Sequence, residues 1–500
     1  MTLSKNIQAN DDTTYDHVIK YTGLFGGVQG LTILMNIVRN MITAKLLGPA
    51  GIGFINLFNK TTGLINQATN FGISMSAVKH VAKLYDMGDE PALRSFIHTV
   101  RSWTTLTALI GAFIGFVLSP LLSQWEFKDY SQLCSFLQLA PVIGIMSLNA
   151  GEMAILKGVK QLKKVALISV FTAAATLLAS LPLYVFWGIG SIATALLLSN
   201  VAALVIHLYY STKVVPWSCS PFSVIALRQG TSMITLGIAF ILAGVFGEAA
   251  ALFIQTCIKD YGGLEAIGFY NCGYTLAITS TTIVFVAMDA DFFPRLSAAE
   301  HDLKRQNRNI NQQIEVCLIL TVPCLIFFLI ALPLIIPVLY SEEFMPVMPM
   351  VVYASIFMVI KAFDLPISYL PLAKGDSRTY MFVEFVFDLL IALLIPYSYH
   401  HWGLPGTGIA LSLCGLFNLT LIYFLYRRKY HYRMQLRKGL ILIAQIVLYA
   451  FTFYVALHVQ SSLRYVLGVP LLATSLFLSL RIIKQETHFI QRLQNKLRRK

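Results

Sequence analysis

Apolar residues run without alternation through fourteen stretches of the chain, at 20–46, 53–81, 96–119, 133–156, 165–187, 189–210, 233–257, 266–291, 314–340, 346–373, 379–399, 404–426, 439–459 and 463–483. At ~1.5 Å per residue a helix of about 20 residues crosses a hydrocarbon core roughly 30 Å thick. A transmembrane barrel would instead alternate apolar and polar positions over about 10 residues. The pattern therefore predicts an all-α polytopic membrane protein, because lipid accepts only segments that satisfy their own backbone hydrogen bonds.

Cations fill every second connection. One set holds Lys79, Lys83 and Arg94; Lys157, Lys160, Lys163 and Lys164; Lys213 and Arg228; Arg295, Lys304, Arg305 and Arg308; Lys374 and Arg378; Arg427 through Lys438; and the tail from Arg481 to Lys500. The opposite set holds little beyond Lys45, Lys128, Lys259 and Arg464. Lys and Arg concentrate in cytoplasmic loops, so both termini are expected in the cytoplasm. Trp103, Trp125, Trp187, Trp217 and Trp402 fall near span ends, as interfacial aromatics do. The expected division is a cytoplasmic N-terminus (1–19), an N-lobe of six spans (20–210), a linker (211–232), a C-lobe of six spans (233–426), a basic loop (427–438), two further spans (439–483) and a basic tail (484–500). The tail spaces Ile482, Phe489, Ile490, Leu493 and Leu497 at helical intervals among cations, which suits the anionic inner leaflet, with a partner-binding helix as the alternative.

Composition narrows this further. Of 500 residues 56% are hydrophobic and only 12% charged, with mean hydropathy +0.68, so little remains for a soluble domain. The net charge of +14 belongs to topology, not to nucleic acid. Seven cysteines form no CxxC pair and read as buried small hydrophobes. Met1 to Asp16 lacks a basic leader region, so the first span is expected to be a retained helix.

One motif recurs. Ile52-Gly53-Phe54-Ile55-Asn56 opens the second span and Ile267-Gly268-Phe269-Tyr270-Asn271 opens the eighth, each after a glycine-containing turn. Equivalent places in two six-span halves imply parallel repeats with a cavity between the lobes.

The ionisable and polar residues within spans are the candidate site. Gln29, Thr32, Asn36, Arg39 and Thr43 form a polar stripe on the first span. Asn56, Asn59, Lys60, Gly63, Asn66, Asn70 and Ser74 form another on the second. Facing lipid these would cost several kcal/mol, so they face protein or water. Arg39 and Lys60, with Asn36, Asn59, Asn66 and Asn70, read as the wall of a cationic cavity; for the asparagines, helix–helix hydrogen bonding is the alternative. In the second half lie Glu248, Lys361, Asp364, Glu384 and Asp388. Glu384 and Asp388 share a helix face, which suits proton exchange, and a salt bridge to Lys361 is the alternative. Gly26/Gly30 and Gly111/Gly115 have the spacing of close helix contacts. Walker A, HExxH, GxSxG and Asp-rich metal motifs are absent, and no connection is long enough to hold a catalytic domain. No cofactor is expected.

Leu46-Leu47-Gly48-Pro49-Ala50-Gly51-Ile52-Gly53-Phe54 resembles the polysaccharide-export branch of the multidrug/oligosaccharidyl-lipid/polysaccharide exporter superfamily. Its members read leu-leu-gly-pro-x-x-tyr/ile-gly between their first two helices, followed by a glycine near the inner end of the second, here Gly72. The second-lobe match is Ile267-Gly268-Phe269-Tyr270, then Phe293-Pro294-Arg295-Leu296-Ser297. Ile52 stands where many relatives carry an aromatic residue. The resemblance implies two six-helix lobes around a central cavity, alternating access and a substrate such as an undecaprenyl-diphosphate-linked oligosaccharide, as in O-antigen flippases of the bacterial inner membrane. Arg39, Lys60 and Lys361 would then hold the diphosphate, the asparagines would meet sugar hydroxyls, and Glu248, Asp364, Glu384 or Asp388 would couple the cycle to ions. A polysaccharide polymerase and chain-length machinery are the implied partners, besides membrane lipids. The alternatives are cation-coupled drug efflux within the same superfamily and a membrane-embedded glycan polymerase or ligase.

Overall fold

The computed structural model describes residues 3–223, 228, 231–299, 302–435, 439–459 and 462–486. Most of the basic tail and part of the linker expected at 211–232 lie outside the described residues. Among the described residues the chain is helical, with no strand. The helices are α1 (Leu3–Thr69), α2 (Ile73–Met87), α3 (Glu90–Phe127), α4 (Leu133–Gly158), α5 (Leu162–Trp187), α6 (Ile192–Thr212), α7 (Thr231–Ser297), α8 (Leu303–Leu339), α9 (Met348–Ala373), α10 (Ser377–Tyr430), α11 (Gly439–His458) and α12 (Leu463–Glu486). The fourteen predicted spans fall on helix except that the second is interrupted at 70–72, between α1 and α2, and among the described residues nine helices are long and apolar enough to cross a membrane. The outward side chains agree: Phe113 is 68% exposed, Leu178 71% and Leu440 84%. Such a surface suits a lipid solvent and would drive aggregation in water.

Glycines divide the longest helices where two spans meet. Gly48 (φ 63, ψ −170) breaks α1, Gly263 (φ 74, ψ −173) breaks α7 and Gly403 (φ 60, ψ −150) breaks α10. Gly188 (φ 56, ψ −140) separates α5 from α6. Positive φ with extended ψ is a region only glycine enters without strain.

These breaks extend the internal repeat. Gly48 to Gly263 and Gly188 to Gly403 are both steps of 215 positions (263 − 48; 403 − 188). The same step carries both bounds of α4 onto those of α9 (133 to 348, 158 to 373). The Asn56 side chain donates to the Ile52 carbonyl at 2.9 Å, and Asn271, at the same offset, to Ile267 at 3.0 Å. The halves differ between α1 and α2. Phe71 (φ 50) and Gly72 (φ 62) interrupt the first half between α1 and α2, whereas α7 runs unbroken from its Gly263 turn to Ser297.

The chain forms two compact units, 1–252 and 253–500. In the first, Leu47, Phe58, Phe136, Leu139, Tyr184 and Ile192 form one core cluster that gathers the Gly48, 128–132 and Gly188 turns at one end. Ile73, Ala77, Val81, Leu93, Ile97, Val100 and Ile155 gather the basic connections at the other. Gly111 and Gly115 let α3 meet α4, since a Cβ at Gly115 would stand 2.5 Å from Ile143 Cδ1. In the second unit α11 and α12 bond each other and α8: Gln445 Nε2 reaches the Ser475 carbonyl and Ser479 Oγ, both at 2.9 Å, and Ser479 Oγ donates to the Ile319 carbonyl at 2.8 Å. The aspartates Asp89, Asp302 and Asp376 cap α3, α8 and α10, each accepting a backbone N–H from the first turn.

The cysteines depart from expectation. All seven are free, but only Cys272, Cys317 and Cys414 are buried, while Cys134 is exposed and Cys219, Cys257 and Cys324 are partly exposed. In a bilayer a thiol on the outer face of a helix remains in an apolar medium, so burial is not required of it.

Candidate substrate site

The first unit carries the two cations of the predicted stripes. Arg39 lies nine residues before the Gly48 turn and Lys60 twelve after it, about 14 and 18 Å along their helix axes and thus near mid-bilayer depth. Arg39 is half-buried, donates to Asn40 Oδ1 at 3.3 Å and lies within electrostatic range of the Tyr184 phenol. Lys60 Nζ meets Glu248 Oε2 at 3.2 Å, with side chains 34% and 35% exposed. The pair joins two residues expected to act separately. Gly244 lets α7 come close to α1, since a Cβ there would fall 2.1 Å from Gln67 Nε2.

The asparagines divide. Asn36 is half-buried and Asn59 exposed, so both present polar atoms at the surface of α1. Asn66 is buried and bonds α4 through the Ile143 carbonyl (3.0 Å) and Ser147 Oγ (2.8 Å), which is the helix–helix role. Asn70 is buried at the break before α2. The side chains of Gln29 and Ser74 lie outside the described residues.

The second unit gathers the remaining ionisable residues. Asp364 Oδ1 accepts from Asn418 Nδ2 at 3.0 Å, tying α9 to α10. Glu384 and Lys361 lie within electrostatic range of Asp364, Asp388 within range of Glu384, and Tyr380 hydrogen-bonds Glu384. Lys361 Nζ also stands 5.8 Å from the Phe285 ring centre and 6.0 Å from that of Phe357. The cluster mixes three carboxylates, one ammonium and the phenols of Tyr380 and Tyr426, an arrangement able to exchange protons or hold a cation.

Sequence reasoning missed a fully buried ion pair. Arg101 on α3 and Glu152 on α4 are 0% and 1% exposed and form a two-pronged bridge at 2.9 and 3.0 Å. Arg101 also donates to the carbonyls of Pro216 (2.7 Å) and Val215 (3.2 Å), and its guanidinium lies 4.9 Å from the Trp217 ring centre. Ser102 Oγ accepts the Ser220 N–H at 2.9 Å. Trp217 is therefore half of a strap that holds the segment after α6 against α3. The available signal was a charge of each sign at similar depth in consecutive spans.

The family described as "Polysaccharide biosynthesis protein" matches residues 42–349, more than half of the chain. The chain belongs to that family. A Shigella flexneri protein named "Putative O-antigen transporter" is 21% identical over 401 residues, covering 77% of this chain and 92% of the relative. "Stage V sporulation protein B" of Bacillus subtilis is 22% identical over 192 residues, 36% of this chain and 35% of that protein. Among solved structures, "Lipid II flippase MurJ, inward closed conformation" matches with a TM-score of 0.74 at 13% identity, covering 93% of this chain and 99% of that one. An inward-facing multidrug resistance MATE family transporter of the MOP superfamily matches with a TM-score of 0.66 at 15% identity, covering 80% and 94%. The chain thus shares the fold of these solved flippase and MOP-superfamily transporter structures.

Proposed function

We propose that this protein flips an undecaprenyl-diphosphate-linked oligosaccharide, an O-antigen or similar surface-polysaccharide unit, across the bacterial cytoplasmic membrane by alternating access. The observation that carries the reading is the pair of cations near mid-bilayer depth, Arg39 and Lys60, on the two segments joined at Gly48. A diphosphate taken through a low-dielectric region needs fixed positive charge, and both a guanidinium and an ammonium supply it. The family and the name of the Shigella flexneri relative support the substrate class. Asn36 and Asn59 supply hydrogen bonds to sugar. Glu248 releases Lys60 when the diphosphate arrives, so the salt bridge is a resting-state contact that substrate replaces. Both termini lie in the cytoplasm, and a polymerase and its chain-length partner take the product. The chain acts as a transporter, with no bond made or broken.

The test is transport of a fluorescent lipid-linked sugar by purified protein in vesicles, read as accessibility to a membrane-impermeant quencher. Facilitated translocation that Arg39→Ala abolishes supports the reading, and translocation unchanged by Arg39→Ala and Lys60→Ala contradicts it. A second reading, cation-coupled efflux of small organic molecules, is favoured by the Asp364–Glu384–Asp388 cluster. Dye export driven by an imposed ion gradient, with no lipid-linked sugar moved, would replace the first reading by the second.

A further inference from the structure

The basic residues at the start of α8 do more than mark an address. Lys304, Arg308, Gln312 and Glu315 follow one face of α8 at helical spacing and line a cavity of about 490 Å³. Its opposite wall is Arg433 and Gln435, from the connection after α10. That wall is tied in place. Asn307 Nδ2 donates to the His431 carbonyl (3.3 Å) and Asn307 Oδ1 accepts the Arg433 N–H (3.2 Å). Asn311 Nδ2 donates to the Arg433 carbonyl (2.9 Å), while its Oδ1 accepts from Tyr432 OH (3.2 Å) and the Gln435 N–H (3.0 Å). His431 takes a left-handed conformation (φ 55) to make the turn. A second cavity of about 510 Å³ shares Lys304, Arg308 and Gln312, so these side chains form a ridge between two hollows.

The positive-inside pattern requires charge on a connection but not this construction. Two buried or half-buried asparagines use their hydrogen-bonding capacity to fix 431–435 against α8, which places a third cation opposite the first two. Three cations face one carboxylate, Glu315, which is buried at 7% exposure. Lys304, Arg308 and Arg433 are exposed and their heads are open to a ligand. Amide donors from Gln312 and Gln435 add direction to the charge. Guanidinium forks and amides around a polar hollow match the tetrahedral oxygens of phosphate, and the charge pattern places this end at the inner leaflet, where phosphate headgroups lie.

We infer that this cavity is a phosphoryl-group site, distinct from the mid-bilayer cations of α1. It engages a headgroup phosphate or diphosphate at the cytoplasmic surface of the second unit. The inference does not depend on the proposed transport, because its test uses no sugar and no translocation.

The test uses the full-length protein in neutral detergent. Native mass spectrometry after addition of phosphatidylglycerol or phosphatidylcholine reads lipid headgroups, and calorimetric titration with inorganic diphosphate reads the free anion. The expected result is saturable retention of phosphatidylglycerol over phosphatidylcholine, binding of diphosphate, or both. Arg433→Gln should weaken it by about tenfold, as loss of one charge-assisted fork does. Lys304→Gln with Arg308→Gln, on exposed side chains that carry none of the tie, should weaken it at least as much. Lys83→Gln, an exposed cation on α2, should change nothing. Lipid retention alone identifies a lipid headgroup as the ligand, and diphosphate binding alone identifies a soluble or substrate-borne anion. Absence of both, or equal loss from Lys83→Gln, overturns the inference.

Discussion

Removing Glu152 should be among the most destabilising single changes in the first unit. Its carboxylate receives two guanidinium N–H groups at 2.9 and 3.0 Å and is 1% exposed, while Arg101 is fully buried. Glu152→Ala leaves a buried guanidinium with two backbone carbonyls and no countercharge. Breaking a buried pair from one side costs about 3–5 kcal/mol, much of it the cost of the stranded charge. An unfolding entropy of about 2.1 cal/mol/K per residue over the unit's 252 residues gives roughly 0.5 kcal/mol per kelvin. The expected fall in thermal midpoint is therefore about 6–9 °C, measured by loss of the monodisperse peak after heating in detergent. Replacing both residues, Arg101→Met with Glu152→Met, removes the stranded charge and should recover more than half of the loss. Hydrogen exchange supplies a second readout: the Ser220 amide, held by Ser102 Oγ, should exchange faster in Glu152→Ala because the strap loses its Arg101 anchor. A midpoint within 2 °C of the parent for Glu152→Ala, or a double variant that falls as far as the single one, would refute the reasoning.

Other expectations follow from particular contacts. Gly263→Ala and Gly403→Ala place a Cβ in open space, so their cost isolates the backbone conformation, about 1–3 kcal/mol each, read as a lower thermal midpoint. Glu248→Gln frees Lys60 from its counterion and should tighten binding of diphosphate-bearing substrate, whereas Lys60→Ala should weaken it, both by titration of the purified protein. Asp376 is held well below the ordinary carboxylate range, first by Lys429 at 2.6 Å, then by Tyr430 OH at 2.7 Å and by Thr379. A lowered folded value means its stabilisation is complete above the unfolded carboxylate value of about 3.9 and is lost only as pH falls through the lower folded value. Protection of the Thr379 amide, which donates to Asp376 Oδ1, should therefore be constant from neutral pH down to about 4 and should vanish at all pH values in Asp376→Ala.

Much of the architecture was legible because the bilayer enforces it. Continuous apolar runs located the membrane-length helices, though not the break between α1 and α2, and Ile52-Gly53-Phe54 with Ile267-Gly268-Phe269 exposed a repeat whose step of 215 the glycine turns then fixed (263 − 48). Partnerships were less legible. Arg39 and Lys60 were recognisable from their depth, but the contact of Lys60 with Glu248 spans 188 positions and depends on how α7 packs against α1. Asn66 and Asn59 look alike in sequence, yet one points at α4 and the other outward. Arg101 was hidden because a cation near the inner end of a span resembles one more topological charge, and only the facing Glu152 and the carbonyls of 215–216 distinguish it. The Lys304–Arg308–Arg433 cavity was hidden for the same reason.

The central claim is that mid-bilayer cations on α1 carry a diphosphate-linked sugar across the membrane. The direct measurement is the rate at which a labelled undecaprenyl-diphosphate oligosaccharide changes leaflet in vesicles holding the purified protein, compared with Arg39→Ala at equal incorporation. The account predicts facilitated flipping by the parent, reduced at least tenfold in the variant, the loss expected if about 1.4 kcal/mol of differential stabilisation is removed. Equal rates for parent and variant, or a parent rate no higher than that of empty vesicles, would contradict it.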